Sequence, residues 1–421
     1  MAEELADQPK GVAEELADQP KGVAEELADQ PIGVAEFAFS AEQQQLRTAV
    51  RKFCVDNNAE ATVRRLMESQ VRFDPAVWRR LGSELGVLGM SVPEADGGVG
   101  GSLVDQAVAV EEFGAALACG PLFGTVYLAI PALVAAPAGP ARDELLAALV
   151  EGDRTAAFAV SDSAGVFLPE ALTVTAGGSG ADVTLTGRVD QVVDGDAADA
   201  ILVAANGSDG LGLYLVDPAA SGVQRTPLVT LDLTRPQATV VLDNAPARRI
   251  AGGEDADRVI NHALQVGAAL LAVEQVGAAQ HLLDLSVEYA KSRLQFGRQI
   301  GSFQAIKHKL ADMLVDLEHA RSTAYHAVWA LAYGTDDPAL AASIAQATCS
   351  AAFSRIAADS IQVLGGIGFT WEHQAHLYFK RAATDAALLG SAEQHRSRVA
   401  DLVLDNAIGH SGAVSVATGR P

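Results

Sequence analysis

Beyond Ser40 the chain changes its hydrophobic period twice. Leu46, Val50 and Phe53 recur at helical spacing, and Ser40 with Gln43 three residues later has the form of a capping box, so the folded part is expected to open on a helix near Phe37. Further helices are expected over residues 75–85, 104–117 and 142–150, giving an all-helical N-terminal domain over residues 37–150. The period then shortens. Residues 156–160, 171–175, 182–188, 200–205, 212–216, 222–227 and 237–242 are short β-branched runs punctuated by Gly, Asp, Asn and Pro. Strands at this spacing predict a small antiparallel sandwich or barrel, a middle β domain over residues 151–250. No helical stretch separates them and no G-x-G-x-x-G occurs, so neither a parallel βαβ sheet nor a Rossmann dinucleotide site is expected.

From Asp257 the helical period returns. Residues 259–291 are apolar on most sides, which predicts burial, and Gly267 and Gly277 permit close helix contact. Residues 303–333 follow with Ile306, Leu310, Met313, Leu314 and Leu317 on one face. A helix over 339–364, one beginning in 371–377 and one from Gly390 to about Asn406 complete the pattern. Long helices with short links predict a four-helix bundle over residues 255–406. The fold class is α+β multidomain. Both ends are expected to be disordered. EELADQPKGVA stands at Glu3–Ala13 and Glu14–Ala24, and with one change at Glu25–Ala35, and in each copy Pro followed by Gly interrupts any continuous helix. Residues 1–36 are therefore read as an acidic repeat extension and residues 407–421 as a tail.

Charge narrows the partners. With 53 acids against 30 bases the net charge is −23, which argues against nucleic acid or an anionic membrane. Cys54, Cys119 and Cys349 lie far apart without metal-ligand spacing, so free thiols, no metal and a reducing cytoplasm are expected. No run of 18 apolar residues suggests a membrane span, and no basic-then-apolar leader stands at the N-terminus. Against this acidic background, residues 289–311 (YAKSRLQFGRQIGSFQAIKHKLA) carry five lysines and arginines, His308 and no acid. Such an island fits bound phosphate, and it equally fits a solvated basic face beside a helix turn. The glycine-rich segment 93–102 (PEADGGVGGS) is a second candidate phosphate cradle, but it lacks the following Lys-Ser/Thr.

Two segments carry a resemblance. Arg293-Leu-Gln-Phe-Gly-Arg-Gln-Ile-Gly-Ser-Phe-Gln is similar to the R-x-x-F-G-x-x-I-x-x-F-Q segment of the acyl-CoA dehydrogenase family. Ile361-Gln-Val-Leu-Gly-Gly-Ile-Gly-Phe resembles that family's Q-x-x-G-G-x-G-[FY] segment. With the order of helical domain, β domain and bundle, the likeness covers nearly all of residues 37–405. The resemblance implies an FAD-dependent oxidation of an acyl-CoA to the 2-enoyl-CoA, with electrons passed to an electron-transfer flavoprotein. It implies FAD held largely across a dimer interface. Arg293 would pair with the pyrophosphate, Phe296 would pack on the cofactor and Gln304 would lie near the adenosine half. Gln362 and the backbone of Gly365 and Gly366 would contact the dinucleotide of a neighbouring subunit. Ser161 and Asp162 fall near the family's ring-contacting stretch, and Arg235 is a candidate CoA contact, a sheet-edge arginine being the plainer reading.

The catalytic base is missing from both places the family puts it. The usual glutamate precedes a glycine that resembles Gly390, where this chain has Leu389. The alternative position, thirty residues before Gly297, is Gly267. Neither can accept a proton. Among other ionisable groups, Glu274 is expected to be a buried acid paired across the bundle, Glu393 a first-turn helix acid, His395 a bundle or cofactor-edge residue and Glu372 structural. Three readings follow: a dehydrogenase whose base lies elsewhere, the base-less and FAD-site-completing half of a heterotetramer with a related subunit, and a non-catalytic acyl-CoA-binding or scaffold protein. Homo-oligomer and heterotetramer both remain open.

Overall fold

The computed structural model describes residues 38–160, 168–178 and 183–411, with side chains through 404. The repeats, Ser161, Asp162 and the C-terminal tail lie outside the described residues. The chain divides into two units, Met1–Ala41 and Glu42–Pro421, and the second carries the helical, β and bundle regions.

Four helices lead: α1 (Ala41–Asn57), α2 (Glu60–Met67), α3 (Pro75–Ser83) and α4 (Leu103–Ala115). The Gln43 side-chain amide donates to Asp105 of α4 at 2.9 Å. Helix α2 escapes the periodicity because eight residues with three apolar positions, Val63, Leu66 and Met67, make too short a stripe. Asp74 caps α3 by accepting from the amides of Ala76 and Val77. Ser102 and Asp105 form a reciprocal capping box at α4. This settles the glycine-rich loop: an acid already holds the helix start, Asp96 pairs with Arg142 at 2.6 Å, and a Cβ on Gly98 would lie 2.2 Å from the Val92 carbonyl oxygen. The loop is folded on itself and makes no phosphate cradle. A π-helical stretch, Leu122–Ala129, runs into α5 (Ile130–Ala135), and α6 (Pro140–Val150) ends the helical region.

Seven strands follow: β1 (Ala156–Ala159), β2 (Thr175–Gly177), β3 (Val183–Val193), β4 (Ala200–Gly207), β5 (Gly210–Val216), β6 (Val223–Pro227) and β7 (Gln237–Gly252). The pairings β4–β5, β5–β7, β7–β3, β3–β2 and β2–β4 close a circuit, with β1 beside β4 and β6 beside β7. The expectation of an antiparallel sheet needs one correction: β1–β4 and β2–β4 are parallel, because the chain returns to β4 through the β2–β3 hairpin rather than directly. Leu185, Ile201, Val203, Val216, Val240 and Leu242 fill the interior.

The last region holds α7 (Glu254–Ser292), α8 (Gln304–Tyr333), α9 (Pro338–Leu364), the shorter α10 (Ala375–Asp385) and α11 (Ala392–Ser411). A two-stranded hairpin, β8 (Leu294–Gln295) and β9 (Arg298–Gln299), joins α7 to α8. On α8, Met313 and Leu317 are buried as the spacing predicts, whereas Leu314 faces outward. Helix α7 contains a stretch apolar enough by composition to cross a membrane, 78% of it buried among the other elements. Glycine sets its contact with α4. A Cβ on Gly277 would stand 1.9 Å from the Glu111 carbonyl oxygen, and one on Gly114 would stand 2.0 Å from that of Glu274. Gly277→Ala is therefore expected to cost roughly 1–3 kcal/mol by forcing the helices apart, the opposite sign to the gain an unpacked helix shows for this change. Thermal melting, with amide exchange read in α4 and α7, checks it.

Among the described residues no group of three or more His, Cys, Asp or Glu is placed to hold a metal ion. Burial pushes the Cys54, Cys119 and Cys349 thiols each up to about 12, so all three are free and poor nucleophiles.

Candidate functional site

A cleft of about 350 Å³ opens where the π-helical stretch, β1, β3, the β6–β7 loop, α7 and the α10–α11 turn converge. Phe123 and Leu128, Phe158, Leu264 and Leu388–Leu389 form its wall, Gln191, Thr230, Gln237 and Thr384 supply its polar atoms, and no described lining residue is ionisable. Both base positions arrive here. A Cβ on Gly267 would lie 2.5 Å from Leu128 Cδ2 and 3.4 Å from Leu389 Cδ1. Two positions far apart in sequence thus share one volume, and leucine side chains fill it.

The turn carrying Leu389 is held from several sides. The His395 imidazole Nε2 meets the Leu389 carbonyl oxygen at 2.9 Å, the Gln346 amide donates to the Leu388 carbonyl at 3.4 Å, and the Ser391 N–H donates to Gln394 at 2.8 Å. Leu389 itself has φ +58°, a left-handed conformation that costs a residue with a Cβ about 1–3 kcal/mol. Gln191, on the opposite wall, has φ +57° at a bulge in the β3–β7 ladder.

Beneath the cleft lies a buried ion cluster joining all three regions. Arg235 donates to both Glu274 carboxylate oxygens and, at 3.0 Å, to Asp385. Arg381 reaches Glu274, Asp232 at 2.6 Å and the Thr234 hydroxyl at 2.6 Å. The Tyr127 hydroxyl donates to Glu274 at 2.9 Å. Burial works against the Glu274 carboxylate, but the two guanidinium groups outweigh it and hold the acid down to about 2. Burial wins at Asp385, pushing it up to about 7 in spite of Arg235, and its Oδ2 has no partner. Asp194 is likewise pushed up to about 7 by burial, a Gly124 N–H bond at 3.0 Å offsetting part of the effect. Glu274 is the buried, paired acid its sequence context suggests. Arg235 is not the sheet-edge arginine of the plainer reading: it stands in a loop, buried and paired with Glu274 of α7 and Asp385 of α10.

The residues that the resemblance assigns to FAD are on the surface. Arg293 ends α7, its N–H donating to the Tyr289 carbonyl, and Phe296 at the hairpin tip is 89% exposed with φ +53°. Phe296 meets Phe303 edge-on, and the Arg298 guanidinium lies 4.1 Å from the Phe303 ring centroid. Gln304 and Gln362 are exposed. A Cβ on Gly365 or Gly366 would meet nothing within 4 Å, whereas Gly368 packs against Leu364 and Ile361. The cationic island is partly neutralised from outside its own segment, Lys291 by Glu288 and Lys309 by Asp359. Glu372 and Glu393 are exposed and neither reaches the cleft. His395 is buried, as a bundle residue should be. Sequence reasoning missed Leu128 and Gln191 because nothing local marks either one. A larger cleft of about 750 Å³ lies among α1, α2, α4, α7 and α10, but its arginines and acids satisfy one another, as in Arg47–Glu111 and Arg51–Glu112, both at 2.8 Å.

Comparison with known proteins agrees with this arrangement. Residues 40–153 match the model of the acyl-CoA dehydrogenase N-terminal domain, and residues 258–404 match that of the C-terminal domain. The chain is 35% identical to acyl-CoA dehydrogenase IpdE2 of Mycolicibacterium smegmatis over 86% of its own length and 98% of that protein's. Two solved structures, a variant of the Tcur3481-Tcur3483 steroid ACAD and the ChsE4-ChsE5 complex from Mycobacterium tuberculosis, each superpose with a TM-score of 0.79 at 30% identity, covering 87% of this chain and 99% of theirs.

Proposed function

Because the chain belongs to the acyl-CoA dehydrogenase family, oxidoreductases acting on a CH–CH bond, we propose that it is the base-less, FAD-site-completing subunit of a heteromeric acyl-CoA dehydrogenase. One observation carries this reading: Leu128, Gly267 and Leu389 meet in the volume where a glutamate would stand. Loss of a general base typically costs about 10²- to 10⁴-fold in rate. A chain that has lost both alternatives would need a mate that keeps one. The two structures at 30% identity support a pairing of unlike chains, since each is named for two components, and one of them is named for a steroid substrate class.

The surface residues suit FAD. The exposed Arg293 guanidinium matches phosphate oxygens, Phe296 offers an uncovered aromatic face, and the open volumes at Gly365 and Gly366 allow close approach of a dinucleotide to the backbone. Arg293, Phe296 and Gln304 would hold one part of the cofactor, and Gln362 with the two glycines another. Lying on the outside of one protomer, they would serve a site completed by a neighbour. Bound FAD supplies the two-electron acceptor, and an electron-transfer flavoprotein would then take the electrons on. In this chain the leucine-filled volume keeps proton abstraction out of its own cleft, leaving that step to the glutamate of the mate.

Purifying the chain alone, and again with a related chain bearing glutamate at either base position, tests the proposal. Flavin per subunit and enoyl-CoA formation are measured. The chain alone should turn over no acyl-CoA even with added FAD, and the pair should. Glutamine in place of the mate's glutamate should lower the rate about 10²- to 10⁴-fold. Turnover by the chain alone at the rate of the pair would overturn the reading.

A further inference from the structure

We propose that the start of α10 is an acid-operated joint: His373 and His376 hold the exposed segment 367–371 in place only as neutral imidazoles, and their protonation frees it. The joint is built from this chain's own contacts. Only its consequence, that acid would withdraw the segment from a cofactor and a mate, rests on the function proposed above.

His373 caps the helix. Its imidazole Nδ1 accepts from the N–H of Ala375, the first residue of α10, at 3.2 Å. Gln374, at the N-cap position, makes no side-chain capping bond. An imidazolium carries a donor on both ring nitrogens and accepts nothing, so one proton turns this bond into an N–H set against an N–H. The place is wrong for a cation in a second way, because the N-terminus of a helix is its positive end.

His376 has cations for neighbours. It stands in the first turn of α10, buried, with no hydrogen-bond partner for Nε2. Its ring meets Trp371 edge-on with centroids 4.6 Å apart, and the Lys380 ammonium lies 4.1 Å from the centroid of that same indole. A proton on His376 would put two cations about one aromatic ring. From α2, Arg64 and Glu60 face both histidines, but these two already pair with each other at 2.8 Å. From α7, His281 lies flat on Tyr378 with its Nε2 also unpartnered, and it faces Gln374, Asp284, Glu60 and His373. Asp284 is exposed and accepts from Gln280. Burial, with Lys380 and Arg64, pushes His376 down to about 4, and burial holds His373 and His281 below their usual range.

The segment has room to move once released. Gly365 and Gly366 lead into it, and a Cβ on either would meet nothing within 4 Å. The Thr370 N–H donates to the Ile367 carbonyl at 3.0 Å and the His373 N–H to the Thr370 carbonyl at 3.3 Å, bonds that shape the segment without anchoring it to a helix. Phe369 and Trp371 project into water. A base whose pKa is lowered in the closed joint takes its proton more readily when the joint is open, so opening becomes easier as pH falls from about 6.5 toward 4. For His376 alone the opening constant rises roughly twentyfold between pH 7 and pH 5.

The test uses the full chain without any mate. Amide exchange, corrected for the pH dependence of the free amide, reads protection over residues 367–378 with the middle of α9 as reference, and imidazole NMR titration reads each histidine. From pH 7 to pH 5 protection over 367–378 should fall about tenfold or more while the middle of α9 holds. His376 should titrate below pH 5.5. His376→Gln, neutral at every pH, should cut the fall to a few-fold, the share of His373. Lys380→Met removes a cation at the rim without touching the buried imidazole; it should raise the titration of His376 and likewise shrink the fall, which keeps the test decisive if the glutamine variant does not fold. The proposal fails if the segment keeps its protection at pH 5 or loses it only together with α9, if His376 titrates no lower than pH 5.5, or if the variants leave the fall unchanged. None of these measurements involves flavin, mate or turnover, so they fail or succeed separately from the heteromer experiment.

Discussion

Glu274→Ala is expected to lower stability by about 3–5 kcal/mol, the largest single effect we foresee in this chain. The reason is what it leaves behind. Glu274 is the common partner of Arg235, Arg381 and Tyr127, and all four side chains are buried. Removing the carboxylate strands two guanidinium groups that have Asp232 and Asp385 as remaining partners, and of these Asp385 is pushed toward its neutral form. The loss should appear as a large fall in Tm by circular dichroism. Replacing Glu274, Arg235, Arg381, Asp232 and Asp385 together by apolar residues of similar volume should restore much of it, because no member of the cluster is then left buried without its partner. A Glu274→Ala protein that melts with the parent would show that the cluster is not formed.

The second large effect depends on pH. Asp385 has a folded-state pKa of about 7, against 3.8 for the ordinary side chain. For a carboxyl raised in this way the native state binds the extra proton, so its contribution to stability falls as pH rises through the window from about 4 to 7. Three pH units correspond to roughly 4 kcal/mol. Asp385→Asn removes the ionisation and keeps an oxygen for Arg235. Relative to the parent it should gain little near pH 4 and most at pH 8. The comparison must be variant against parent at each pH. His376, His281 and His262 are held below their usual values by burial, and as lowered bases they add stability with rising pH through part of the same range. Asp194 contributes in the same sense as Asp385 and remains in both proteins. Urea midpoints at pH 5, 6, 7 and 8 give the difference directly, and a gain that shrinks as pH rises would contradict the sign.

The long helices and most strands were legible because each satisfies its own period over many residues. α7, α8 and α9 needed only that. The β domain was legible through β-branched runs and turn residues, but the parallel partners of β4 were not, since register across a closed sheet is decided by residues far apart in sequence. The stretch from Leu122 to Ala135 was missed for the opposite reason: its uninterrupted apolar character carries no phase that could tell a π turn from an α turn. For the proposed cofactor site, motif spacing singles out Arg293, Phe296, Gly365 and Gly366, all of which lie on the surface. Single-position comparison showed that Leu389 and Gly267 lack an acid. What it could not show is that those two positions touch through Leu128, or that Arg235 turns inward. Both facts belong to tertiary packing. Arg235 follows Asp232 in a loop with every appearance of a surface turn until Glu274 and Asp385 are brought beside it.

The uncovered aromatics have a physiological consequence. Phe296, Phe369 and Trp371 stand out from the bundle of a single protomer, together with Leu294 and Ile367. Such a surface invites non-specific sticking. Copies left without a covering neighbour would keep these apolar side chains in water. Under the heteromeric reading proposed above, its synthesis would have to be matched to that of its mate.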